Sequence, residues 1–369
     1  MSEDGARRTL PRRDWLLLPL VAVVTAALFL IIVEGGSRLV WPESKDEVCA
    51  YNPLRPKPNC VSRDKAAEGP WVEARFNECG YRGTGSCGAV NAGTARLAVL
   101  GSSTSWGYLV PFDDVWSMQA AREITAKCGR PIDVQSLGGF GDLSLIAART
   151  PEALALHPQL VALVVAPFDL FKLPDGGFNP AHALIPRPDP PTVHPGLMEW
   201  AKNFMTDSRA VEIAQHYIFG NPDTYVATYL HYGDRAAFLR PPMSEAWQER
   251  LDVLDEAVGY ITARLAPTGT PLLLVYAPPL VQADLLADVK PAPGVDPEAI
   301  DRAIAQIAKR HGALFADGGD GFRSVRNASN YFYRAEGHLN SAGQTLLGRT
   351  AANVILADAP SGFCPGPAQ

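Results

Sequence analysis

Apolar positions follow two regimes along this chain. From Trp15 to Val33 no residue is charged and most are aliphatic. The run is close to the roughly 20 residues that carry a helix across a hydrocarbon core. Further on, apolar residues gather in short runs separated by longer stretches with helical spacing. "RLAVLG" (96–101) reads as a buried strand ended by glycine. "SMQAAREITAKCG" (117–129) has a helical pattern and a glycine at its C-cap. "IDVQSLGGFGD" (132–142) reads as a second strand running into a glycine-rich turn, and "LSLIAARTPEALALH" (143–157) as helix, broken by Pro151. "LVALVVAPFD" (160–169) is a third, fully apolar strand and "PLLLVYAPP" (271–279) a fourth, the latter preceded by the helix pattern of 247–266. A helix over 297–312, with Pro297 near its start, leads to the strand "ALFAD" (313–317). Strands alternating with helices of this length predict right-handed crossovers and a parallel sheet covered on both faces.

Charge refines the first regime. Arg7, Arg8, Arg12 and Arg13 precede the apolar run. Its length exceeds the roughly 7–15 residues of a cleaved signal sequence, and "VEGGSR" is a poor cleavage site. A single uncleaved transmembrane helix is therefore expected over 15–33, with residues 1–14 in the cytoplasm and the rest on the far side of an inner or plasma membrane, in the periplasm or its equivalent. A buried core helix is the other reading of the same pattern. Residues 34–70, rich in Pro, Lys and Glu, read as a linker. Residues 71–358 form the folded domain and 359–369 a tail. Within the domain, 174–245 breaks the strand–helix rhythm with prolines and aromatics, among them Trp200, Phe204, Tyr217, Phe219, Tyr225, Tyr229 and Tyr232. This insertion either packs on its own rings or forms a lid or groove wall.

All six cysteines lie after the apolar run, as suits disulfides in an exported domain. Proximity favours Cys49–Cys60 and Cys79–Cys87, leaving Cys128 with Cys364. No C-x-x-C pair is present, so no metal or thioredoxin-type motif is expected, and nothing calls for a cofactor. With 39 acidic against 33 basic side chains and no basic stripe interleaved with aromatics, nucleic acid is not an expected partner.

The chemistry-bearing stretches stand at strand ends, where α/β sheets bind ligands. Gly101 is followed by Ser102, Ser103, Thr104 and Ser105. Each hydroxyl there could serve a turn, a helix N-cap or nucleophilic attack. A nucleophile needs a base, a group to orient that base and donors for the oxyanion. His157 beside Pro158 and His194 in a proline-rich loop have ordinary explanations. His338 differs: it lies two residues after Glu336 on a loop leading into the last helix, where Asn340 or Ser341 would cap.

Taken together, these blocks resemble the SGNH (GDSL-type) hydrolases. "LGSSTSW-G" is similar to that family's first block and places the nucleophile at Ser103. "SLGGFG" resembles the second, which makes the N–H of Gly141 an oxyanion donor beside that of Ser103. "EGHLNSAG" resembles the last, with His338 as base and Glu336 in place of the usual aspartate. "FNECGYRG" (76–83) is similar to a stretch that precedes the first block in membrane-anchored members. Two further departures stand out: Ser102 replaces the aspartate before the nucleophile, and Phe168 occupies the position of an oxyanion asparagine. The resemblance implies a flavodoxin-like three-layer α/β sandwich. It also implies a membrane-anchored serine esterase or O-acyltransferase acting on ester-linked acyl groups, acetyl foremost, of an envelope glycan. Acylated polysaccharide or a small ester, the membrane and envelope assembly proteins are its expected partners. The alternative is a protein of this fold, impaired in catalysis, that binds envelope polysaccharide.

Overall fold

The computed structural model describes residues 11, 13–43, 49–52, 55–139, 141–171, 173–174, 177–183, 196, 207–358 and 363–364. Trp200, Phe204 and His194 of the insertion, and most of the tail, lie outside them. The apolar run becomes the helix Asp14–Val40, long and apolar enough to cross a membrane; its most apolar 18 residues have a mean hydropathy of 3.0, and none of them is buried.

Two antiparallel hairpins follow: β1 (Ala50–Asn52) with β2 (Arg55–Pro56), and β3 (Val61–Lys65) with β4 (Trp71–Arg75). The span 34–70, expected as a linker, therefore carries structure of its own. Its strands are short, and in β3 and β4 only every second residue is buried, so apolar content alone does not announce them. Ala74 and Phe76 pack with Cys49 and Trp106, which fastens the hairpins to the main domain.

The central sheet contains β5 (Arg82–Gly83), β6 (Ala95–Gly101), β7 (Ile132–Ser136), β8 (Leu160–Val165), β9 (Leu272–Tyr276) and β10 (Leu314–Asp317), in the spatial order β10-β9-β8-β6-β7-β5. The last five strands in sequence are mutually parallel, and β5 pairs antiparallel at the edge. Numbered among themselves, the parallel strands run 2-1-3-4-5, the flavodoxin-like order, whose switch point falls beside β6.

The pleat divides the core. Leu97 and Val99 of β6 face one layer, built with Trp116, Ile124, Ala351 and Ile355 from the helices Trp116–Cys128 and Ser341–Asp358. Ala98 and Leu100 face the other, with Leu254, Ile261 and Ile304 from Glu245–Leu265 and Ala299–Arg310. Strands buried on both faces must be apolar throughout, which is why β6, β8 and β9 appear as unbroken runs. The helix expected over 143–157 is two, Leu143–Ala148 and Thr150–Ala155, parted at Arg149 just before Pro151. Disulfides join Cys49 to Cys60, Cys79 to Cys87 and Cys128 to Cys364, the pairing that proximity favoured.

Candidate active site

Strand β6 ends at Gly101, whose φ of +144° and packing against Val164 exclude a side chain: a Cβ there would meet the Val164 carbonyl oxygen at 2.7 Å. The chain turns at Ser102 into the single helical turn Ser103–Trp106. Ser102 supplies its carbonyl, not its side chain, accepting from the Ser105 N–H at 3.0 Å and the Ser105 hydroxyl at 2.6 Å. Below this turn lies the buried Arg82. Its guanidinium donates to the carbonyls of Trp106 (2.6 Å), Gly107 (2.8 Å) and Val110 (2.8 Å). Burial lowers its pKa to about 10, still charged at neutral pH. Asn77, from the same sequence stretch, donates to Gln135 Oε1 on β7 at 2.8 Å and accepts from the N–H groups of Cys79 and Tyr81. Asn77 and Arg82 of "FNECGYRG" thus brace the neighbouring strand and the serine turn.

The second half of the site is the loop before the last helix. Phe332 and Leu339 bridge, the Tyr333 N–H donates to the His338 carbonyl at 2.9 Å, and the Gly337 N–H donates to the Tyr333 carbonyl at 2.6 Å. Gly337 takes φ +94°, a conformation costly for any other residue, and this turns Glu336 and His338 to one side. The Tyr333 hydroxyl donates to the Leu109 carbonyl at 3.0 Å, tying the loop to the segment after the serine turn. Asn340 caps the following helix, its Oδ1 accepting from the Ala342 and Gly343 N–H groups.

Across 235 residues of sequence, Ser103 Oγ and His338 Nε2 lie 2.7 Å apart. On the other side of the ring, Nδ1 is 2.8 and 2.7 Å from the two Glu336 oxygens, and the His338 backbone N–H donates to Glu336 Oε2 at 3.0 Å. A carboxylate only accepts, so the proton sits on Nδ1 and the Nε2 lone pair faces the serine hydroxyl. The longer glutamate stem folds back onto its own loop and so reaches the ring. Tyr108 stands edge-on to the imidazole, with centroids 5.4 Å apart.

Ser103 and His338 open into a cavity of about 350 Å³. Its far wall comes from the insertion, as Tyr225, Tyr229, Tyr232 and Arg235. The rings of Phe219, Tyr225, Tyr229 and Tyr232 form a continuous series with centroid spacings of 4.9, 6.0 and 5.4 Å. This described part of the insertion thus both packs on its own rings and walls the groove. Burial pushes the Tyr229 hydroxyl up to about 12 and that of Tyr225 further, so both stay protonated and able to donate.

The expected oxyanion positions are less closely gathered. Ser103 occupies the first position of its helical turn, where a backbone N–H has no partner within the helix. Gly141 sits ahead of the helix Leu143–Ala148, which Asp142 caps, and is not among the residues lining the cavity. Phe168 lies on the cavity wall with 61% of its surface exposed. Its neighbour Asp169 is occupied in accepting from the Ala166 N–H at 2.8 Å. Among the described residues, the one group spaced for a metal ion is Glu78, Cys79 and Cys87, whose two sulfurs are joined in a disulfide. Sequence reasoning missed the bracing roles of Asn77, Arg82 and Tyr333; the first two lay inside a stretch it singled out.

No protein-family model matches the chain, and no curated protein matches it in sequence. Among solved structures the chain is similar to TesA, with 14% identity, 71% of this chain and 98% of that one covered, and a TM-score of 0.38. It is also similar to a mutant of Axe2, an acetyl-xylooligosaccharide esterase from Geobacillus, with 13% identity, 71% and 94% covered, and a TM-score of 0.39. A third is the salicylyl-acyltransferase SsfX3 of a tetracycline biosynthetic pathway, with 15% identity, 74% and 58% covered, and a TM-score of 0.32.

Proposed function

We propose that this protein is a membrane-anchored serine esterase or O-acyltransferase that acts on ester-linked acyl groups, acetyl foremost, of an envelope glycan. The observation that carries the reading is the hydrogen-bonded series Ser103–His338–Glu336. His338 Nε2 takes the hydroxyl proton as Ser103 Oγ bonds to the ester carbonyl carbon, and Glu336 stabilises the imidazolium that forms. The N–H of Ser103 holds the oxyanion; Gly141, the second donor that the motifs imply, does not line the cavity. The ester C–O bond then breaks, His338 returns its proton to the departing alkoxide, and the acyl group rests on Ser103. Water or a sugar hydroxyl, deprotonated by the same imidazole, removes it.

The tyrosine wall supports a glycan substrate, because sugar rings stack on aromatic faces while hydroxyls of Tyr229 and its neighbours exchange hydrogen bonds with them. The apolar helix, with its preceding arginines, supports single-span anchoring with the domain on the non-cytoplasmic side. Phe168 favours a second reading, a glycan-binding protein of impaired activity, since it puts an exposed ring where a donor is expected.

The test uses the full chain in detergent with a fluorophosphonate probe and p-nitrophenyl acetate. Covalent labelling and turnover, both lost in Ser103→Ala, are expected. Labelling that persists in Ser103→Ala removes this serine from the mechanism, and glycan binding without turnover selects the second reading.

A further inference from the structure

We propose that Glu68 is a positioning residue for the loop carrying Glu336 and His338, and that His216 links this prop to the end of the apolar N-terminal helix. The inference rests on the proposed function for its catalytic meaning, but the contacts are independent of it. Glu68 lies in the turn between β3 and β4, and its side chain is 2% exposed. Its Oε1 accepts from the backbone N–H groups of Ala335 (3.0 Å) and Glu336 (3.2 Å). Its Oε2 accepts from His216 Nδ1 at 2.5 Å. One carboxylate therefore holds the main chain of the residue whose own carboxylate orients the imidazole.

The prop is itself stiffened. Lys65 Nζ donates to the turn carbonyls of Ala66, Ala67 and Gly69. Gly69 lies so close under the Tyr333 ring that a Cβ there would meet its Cε1 at 2.9 Å. Hairpin turn and catalytic loop are thus in contact at both ends of the segment 333–336.

On the other side, His216 belongs to the helix Arg209–Ile218, which runs alongside the last turns of Asp14–Val40. At its start, Glu34 accepts from the Ser208 hydroxyl (2.7 Å) and from the Arg209 (3.0 Å) and Ala210 (3.1 Å) N–H groups, while Arg38 donates to the Asp207 carbonyl at 3.0 Å. Near its end, Trp41 meets the His216 ring edge-on at 4.9 Å. A continuous set of contacts runs from the anchor helix through His216 and Glu68 to the loop bearing the base. Glu68 touches no reacting atom; it acts through Glu336.

The test compares wild type, Glu68→Ala, Glu68→Gln and His216→Ala as full chains in detergent, reading kcat and KM on p-nitrophenyl acetate and amide hydrogen exchange over 333–339. Glu68→Ala is expected to lower kcat roughly 10- to 100-fold with KM nearly unchanged, and to speed exchange at Ala335 and Glu336. Glu68→Gln, whose amide oxygen accepts the same two bonds, is expected to restore most of kcat and protection. Unchanged kcat and exchange in a folded Glu68→Ala protein overturn the proposal, as does Glu68→Gln exchanging as fast as Glu68→Ala. If Glu68→Ala does not fold, His216→Ala decides: faster exchange at Ala335 and Glu336 supports the link, and unchanged exchange overturns it. If wild type shows no turnover, the proposed function fails and exchange alone judges the prop.

Discussion

Arg82 and Gly107 are joined by a hydrogen bond of 2.8 Å from guanidinium to carbonyl, one of three by which a single buried side chain holds the segment just after the serine turn. Gly107 ends that turn with φ +69°, so its carbonyl and those of Trp106 and Val110 point inward with Arg82 as their shared donor. Arg82 divides these carbonyls between two nitrogens, Nη1 on Trp106 and Gly107 and Nη2 on Val110, whereas lysine gathers its donors on one nitrogen and does not reproduce that spread. Arg82→Lys is expected to destabilise the domain by on the order of 3 kcal/mol, seen as a fall of roughly 5 °C in Tm. A wild-type Tm in this variant would show that the three carbonyls find other donors.

The serine, imidazole and carboxylate are expected to act as a unit. Ser103→Ala and His338→Ala should each lower kcat/KM for p-nitrophenyl acetate by on the order of 10³ or more, and the double variant should be little worse than either. Glu336→Gln keeps the shape of the side chain but presents an amide to Nδ1, which disturbs the tautomer; a loss of a similar order is expected. Additive losses in the double variant would count against a shared proton path.

How far this site was legible from sequence varies with the reach of each interaction. Strands β6, β8 and β9 were legible because a strand covered on both faces has to be apolar at every position. The pairing of Glu336 with His338 was legible because both sit on one short loop, with Gly337 free to take the required φ. The approach of Ser103 to His338 is a property of the sheet order and could be reached only through the order of motifs. Glu68 gave no signal: it is one acidic residue in a segment rich in charge, and its burial arises only once the hairpin meets the loop at Ala335. The hairpins themselves escaped notice because strands of two to five residues are short, and β3 and β4 bury only every second residue, which leaves little apolar pattern.

Phe168 offers a gain-of-function test. Its ring is largely exposed on the cavity wall that Ser103 also lines. An asparagine there would add a side-chain donor near the developing oxyanion, a contribution worth about 10²–10³ in rate where such donors are deleted from established sites. Phe168→Asn is expected to raise kcat on p-nitrophenyl acetate by roughly tenfold, with Tm unchanged. A fall in kcat would instead show that the ring itself binds substrate.

Two buried carboxyl groups outside the Ser103–His338–Glu336 series predict how stability responds to pH. Asp284 is fully buried on the helix Leu280–Ala287, and among the described residues neither of its oxygens has a hydrogen-bond partner. Burial, with Asp288 adding repulsion, pushes it up to about 7; burial with Asp317 nearby does the same to Asp301. In the unfolded chain both ionise near 3.8. The folded state therefore holds protons that the unfolded state releases. This contribution is complete below pH 3.8 and is lost as pH rises through 7. Asn at position 284 keeps the shape of the protonated acid without the ionisation. Asp284→Asn should match wild type in Tm near pH 4 and exceed it at pH 8 by several degrees, reflecting on the order of a few kcal/mol. A Tm difference that stays constant between those pH values would mean that Asp284 does not hold its proton in the folded protein.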